Sequence, residues 1–128
     1  MSNRQFARIG DGVVNLMYSL ALLIAIGDIK KTKLPGYILA EALRASGLRL
    51  YLPPRQDKYK LSDAAEALIG YAWLTGAIEI KEAANFIASM INPKLSVKNN
   101  TSNFVSAFTS LIRIIIKELG IVEEKNKD

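Results

Sequence analysis

Apolar residues recur along this chain at three- and four-residue steps almost from end to end, the spacing of helices that each bury one stripe. A first helix is predicted from about Gln5 to Ile26, with Phe6, Ile9, Val13, Leu16, Met17 and Leu20 on one face and Gly27-Asp28 as its stop. A second runs from about Pro35, a residue tolerated in a first turn, to Ser46 before Gly47. Leu48 to Lys60 contains Pro53-Pro54 and four basic residues, and reads as an exposed connection. A third helix is expected to start near Ser62 as its cap, with Asp63 at the positive end of the dipole. It turns Ala65, Leu68, Ile69, Ala72 and Trp73 inward and stops near Gly76. A fourth covers about Glu79 to Ile91, ahead of Pro93. The last begins at Thr101 or Ser102 and repeats Phe104, Phe108, Leu111, Ile112, Ile115 and Leu119 before Gly120. The run Ile114-Ile115-Ile116 favours strand locally, but it lies inside a long periodic segment, and packing overrides propensity.

The expected class is therefore all-α, a compact bundle of about five helices. With no internal repeat and no long Pro/Gly/Ser linker, residues 1–128 read as one domain with a short polar C-terminal tail. The first helix is apolar on more than one face, and Val105 and Ile116 fall off the main stripe of the last, a pattern that predicts a homodimer. The longest apolar stretch, Val13 to Ile26, is broken by Asn15 and Ser19 and is shorter than the roughly 20 residues of a membrane span. It reads as a buried core helix, with no membrane as partner and a cytoplasmic location expected.

Composition removes several chemistries. The chain has 128 residues with no cysteine and no histidine, which excludes disulfides, thiol nucleophiles, Cys/His zinc sites and Ser-His-Asp triads. Carboxylates, lysines, hydroxyls and oxygen-bound hard metal ions are left. The net charge of +5 is unevenly spread: residues 30–60 carry a surplus of six positive charges, and the remainder is close to neutral. Concentrated positive charge attracts polyanions and can displace counterions from a nucleic-acid backbone. Lys30, Lys31, Arg55, Lys58 and Lys60 are the candidate phosphate contacts.

Two acidic features stand out against this background. Asp63 and Glu66 are three residues apart on the third helix, so both carboxylates share a face. Acids near a helix start often do no more than complement the dipole. Asp11 is less ordinary, because it interrupts an apolar helix between Gly10 and Gly12, both poor helix formers. A carboxylate on a core-forming helix must be neutralised, hydrogen-bonded or bound to a cation. Flanking glycines would let a neighbouring backbone, side chain or ligand come close. If the first and third helices cross with Asp11 facing Asp63 and Glu66, a divalent ion would relieve the repulsion. Oxygen-only ligation suits Mg²⁺ or Mn²⁺, and such a site can hydrolyse a phosphodiester.

These residues also carry a resemblance. Ile9-Gly10-Asp11-Gly12-Val13-Val14 resembles the glycine-aspartate signature of the ribonuclease III family, and Asp63-Ala64-Ala65-Glu66-Ala67-Leu68-Ile69-Gly70 resembles that family's second acidic motif. The resemblance implies an all-helical homodimer that cleaves double-stranded RNA with divalent metal, and gives Asp11, Asp63 and Glu66 the role of metal-binding catalytic residues. It also implies a further glutamate four residues before Asp11, where this chain has Ala7, and another acid where it has Arg4. The small Mini-III branch is similar in lacking that glutamate, in having no separate double-stranded-RNA-binding domain, and in a basic, tyrosine-containing stretch before the second motif, here Arg55 to Lys60 with Tyr59. That likeness implies structured RNA such as a ribosomal RNA precursor as substrate. The alternative is a non-catalytic RNA-binding or ribosome-associated protein that keeps the fold, a reading that Ala7 favours and the retained Asp11 and Glu66 oppose.

Overall fold

In the computed structural model, which describes residues 3–48 and 58–121, the periodic segments are all helical. The order is α1 (Asn3–Ile26), α2 (Gly36–Ala45), α3 (Lys58–Leu74), α4 (Ile80–Ser89) and α5 (Thr101–Leu119), with a 3-10 turn at Lys98–Asn100 before α5. No strand occurs among the described residues. The all-α architecture of five helices is the one predicted, and Ile114-Ile115-Ile116 is helical. Residues 49–57, which include Arg55 and the Pro53-Pro54 pair, lie outside the described residues, as do the side chains of Lys58 and Tyr59 and the tail beyond residue 121.

The helices end where their chemistry requires. Gly120 closes α5 in the left-handed region at φ 68°, where it costs least, and its N–H bonds back to the Lys117 carbonyl at 3.2 Å. Pro35 is the N-cap of α2, which begins at Gly36, one residue later than expected, and Arg113 of α5 donates to the Ala45 carbonyl at 2.9 Å, satisfying the far end of α2. Asn100 is fully buried and sews the α4–α5 connection together. It accepts from the Asn92 N–H at 2.9 Å and donates to the Asn92 and Ser96 carbonyls, each at 3.0 Å. Ser62 does not cap α3. The helix begins at Lys58, so Ser62 lies within it, buried, beside Gly36 at the start of α2.

Packing is organised around α3, which contacts α1 most extensively on one side and α2 on the other, while α4 closes on α1 and α5 on α2. By length and composition α1 could cross a membrane; here its buried stripe of Gly10, Val13, Val14, Met17, Tyr18, Ala21 and Leu22 faces α3 and α4. The ring of Tyr18 stacks edge-on against Phe104 at 5.0 Å between centroids, joining α1 to α5. That stripe is rotated from the predicted one: Leu16 is 50% exposed, and Leu23 and Ile24 point outward with it. Trp73, also expected inside, is 39% exposed, whereas Ile116, expected to be left over for a partner, is buried at 6%.

Glycine sets this rotation. A Cβ on Gly10 would overlap the backbone carbonyl of Glu66, and one on Gly70 would collide with the Phe6 carbonyl and lie 2.8 Å from the Gly10 nitrogen. The α1 and α3 backbones therefore touch at Gly10 and Gly70, so these faces must meet. Gly12 has no such neighbour: nothing lies within 4 Å of where its Cβ would stand, so close approach at Asp11 comes from one flanking glycine and not from both. Gly10→Ala is expected to destabilise the fold by more than ~2 kcal/mol through backbone overlap. Gly12→Ala, on an open helical surface, is expected to stabilise it by about 0.5–1 kcal/mol. Paired denaturant melts check both signs.

Candidate metal centre

Because Gly10 rests on the carbonyl of Glu66, the next residue of α1, Asp11, is carried to the Glu66 side chain. The two carboxyls are hydrogen-bonded to each other, with the protonated Glu66 donating to Asp11. Glu66 is half-buried, and burial is the main reason its carboxyl is pushed up to about 8; the bond to Asp11 and the charges of Asp11 and Asp63 push the same way, against an opposing pull from Lys33. Asp11 is held from the other side by Asn15, one turn on, whose Nδ2 donates to Oδ1 at 3.2 Å.

Asp63 is exposed, one turn before Glu66, and lines the same cleft. Asp11 and Glu66 are thus in direct contact, with Asp63 on the rim. Among the described residues no group of three or more acidic side chains is close enough to hold a metal ion by itself. The pair nonetheless fits a hard divalent cation. Two carboxyls that keep a proton between them near neutral pH form a site short of positive charge, and oxygen donors of this kind suit Mg²⁺ or Mn²⁺.

The cleft is open and measures about 960 Å³. Arg4, Arg8 and Lys60 line it beside the acids, and its apolar wall includes Phe6 and Tyr71, whose rings meet edge-on at 5.2 Å. Ala7 also faces it, so no carboxylate enters from that position of α1. The predicted phosphate contacts are dispersed. Lys60 is at the cleft; Lys30 and Lys31 are exposed on the α1–α2 connection, Lys30 paired with Asp28 at 3.5 Å; and the side chains of Arg55 and Lys58 lie outside the described residues. Two residues not singled out from the sequence belong to the site, Asn15 and Lys33. Asn15 had a readable signal, its four-residue spacing from Asp11 on one helix. Lys33 had none, since its position depends on the path of the connection.

The raised Glu66 carboxyl has a consequence for stability. Between about pH 4.5 and 8 the folded metal-free protein keeps a proton that the unfolded chain has already lost. Its stabilising contribution is therefore complete below that window and is lost as pH rises through about 8. No histidine titrates in the same range. Metal-free thermal melts are expected to show a falling Tm across this window, and Glu66→Gln is expected to flatten the profile. A flat wild-type profile would contradict the assignment.

No curated protein matches the chain. The sequence model of the family described as Ribonuclease III matches residues 4–121, a span that runs from the first turn of α1 past the end of α5 and includes both acidic helices. With nearly the whole fold inside that match, the chain belongs to the ribonuclease III family.

Proposed function

We propose that this chain is a metal-dependent endoribonuclease acting on double-stranded or structured RNA, with ribosomal RNA precursors as the substrate class that the Mini-III likeness suggests. The observation that supports this most is the Asp11–Glu66 carboxyl pair, set at the α1–α3 crossing in an open cleft that cationic side chains also line. Asp11 and Glu66 would hold Mg²⁺ or Mn²⁺ directly, with Asp63 adding negative charge from the rim. When bound, the ion would supply an activated water and offset charge building on the phosphate. Glu66 would hold the ion as a carboxylate, its proton released to solvent, and Asn15 would keep the Asp11 carboxylate aimed at the same point. Arg4, Arg8 and Lys60 would draw the RNA backbone to the cleft, and Lys30, Lys31, Arg55 and Lys58 are the further phosphate contacts proposed from the sequence. Duplex RNA would be recognised by its A-form shape and by phosphate and 2′-hydroxyl contacts.

The active form is proposed to be a homodimer, which would set two acidic sites about a two-fold axis, one for each strand. Outward apolar residues such as Leu16, Leu23 and Ile24 on α1 and Trp73 and Leu74 on α3 give such a partner surface to cover. A second reading, a non-catalytic RNA-binding or ribosome-associated protein, is favoured by Ala7 and Arg4, which put a neutral and a positive group in the cleft where the family pattern has acids.

The full chain with Mg²⁺ or Mn²⁺ is expected to cut duplex RNA, leaving 5′-phosphate ends and short 3′ overhangs. Glu66→Gln is expected to lower the rate by about a hundredfold or more. The same ions should raise the wild-type Tm by mass action and leave that of Glu66→Gln unchanged. Duplex binding without cleavage under either ion would decide for the second reading.

A further inference from the structure

The connection from α1 to α2 does not leave α1 but runs back along it. Ser19 Oγ donates to the Lys31 carbonyl at 3.4 Å, and one turn nearer Asp11 the Leu34 N–H donates to Asn15 Oδ1 at 2.8 Å. The Leu34 side chain is buried in the core, so this end of the connection is anchored twice. Lys33 lies between the two tethers. Its side chain is exposed and makes no salt bridge among the described residues, yet its ammonium is close enough to Glu66 to act on that carboxyl through space.

Asn15 connects these features. Its Nδ2 donates to Asp11, and its Oδ1 accepts from the lysine-bearing connection, so one amide ties the carboxylate to the segment that carries Lys33. The task needs a donor and an acceptor on one short side chain, which an asparagine has and a carboxylate or an aliphatic residue lacks. The other lysines of the connection are placed differently. Lys30 is paired with Asp28, and the Lys31 backbone stands level with Ser19, about 12 Å along α1 from Asp11 by helical rise. Lys33 is the cation of this connection that the fold delivers to the acid pair. Its side chain is exposed and closes no salt bridge among the described residues, so its donors remain available to an anion.

We propose that Lys33 contacts the RNA phosphate held at the Asp11–Glu66 site, and that Asn15 is the positioning residue that keeps Lys33 there. The reaction half of this inference rests on the ribonuclease reading; the phosphate contact does not. Lys33 would offset charge on the phosphate as the reaction develops.

The test uses the full chain and a duplex RNA in two assays. Without divalent ions, binding is measured over a salt series. Lys33→Ala is expected to reduce the slope of log K against log salt by about 0.7–0.9, the share of one phosphate contact, while Lys33→Arg keeps it. Asn15→Ala is expected to weaken metal-free binding as Lys33→Ala does, and the double variant to be no weaker than Lys33→Ala alone, because one change acts through the other. With Mg²⁺, Lys33→Ala is expected to lower kcat/KM by roughly tenfold or more, with Lys33→Arg restoring most of it. An unchanged salt slope in Lys33→Ala would overturn the phosphate contact, whether or not the chain cuts RNA. Additive losses in the double variant would overturn the role of Asn15. If no duplex is cut, the ribonuclease reading fails and the binding slope still decides the contact.

Discussion

Where α1 crosses α3, the side chain that Gly10 lacks would occupy the space of the Glu66 carbonyl, and the one that Gly70 lacks would occupy that of the Phe6 carbonyl. Helices ordinarily stand 8–10 Å apart because side chains separate them, and a pair of glycines removes that spacer. The contact falls one residue from Asp11 and on Glu66 itself. Packing α1 against α3 and setting the distance between two carboxyls are therefore one event. Each glycine weakens its own helix by about 1 kcal/mol relative to alanine, a local cost that the crossing offsets.

Forcing two carboxyls together in a half-buried place creates a demand for positive charge. In the protein alone a proton on Glu66 meets it: burial first, and the Asp11 bond and charge second, hold that proton to about pH 8. A divalent ion would meet it more completely, and a choice between proton and cation would make ion binding depend on pH. The surroundings follow the same logic at longer range. A cleft lined by acids alone would repel a polyanion, whereas this one also carries Arg4, Arg8 and Lys60 in its lining.

The helices themselves were legible because their periodicity is strong and their ends carry chemical signals, such as Gly120 after α5 and Pro93 after α4. Asp11 and Glu66 were legible for a related reason: an acid on an apolar helix, and an acid pair three residues apart, are conspicuous against the pattern around them. The helix rotations were not. A helix such as α1, apolar on several sides, satisfies its periodicity with Leu16 in or out, and Trp73 on α3 is similarly ambiguous. Ser62 had the composition of a cap, but α3 extends a turn beyond it and encloses it.

By itself the sequence determined which segments are helices, which acids are candidates and how charge is divided along the chain, because these depend on residues close together in sequence. Only the tertiary structure decided which faces meet, that Asp63 stands at the rim while Asp11 and Glu66 touch, and that Asn15 ties Asp11 to the connection that carries Lys33. Those outcomes depend on a backbone contact between residues about sixty positions apart and on the return path of a connection, neither of which local periodicity encodes.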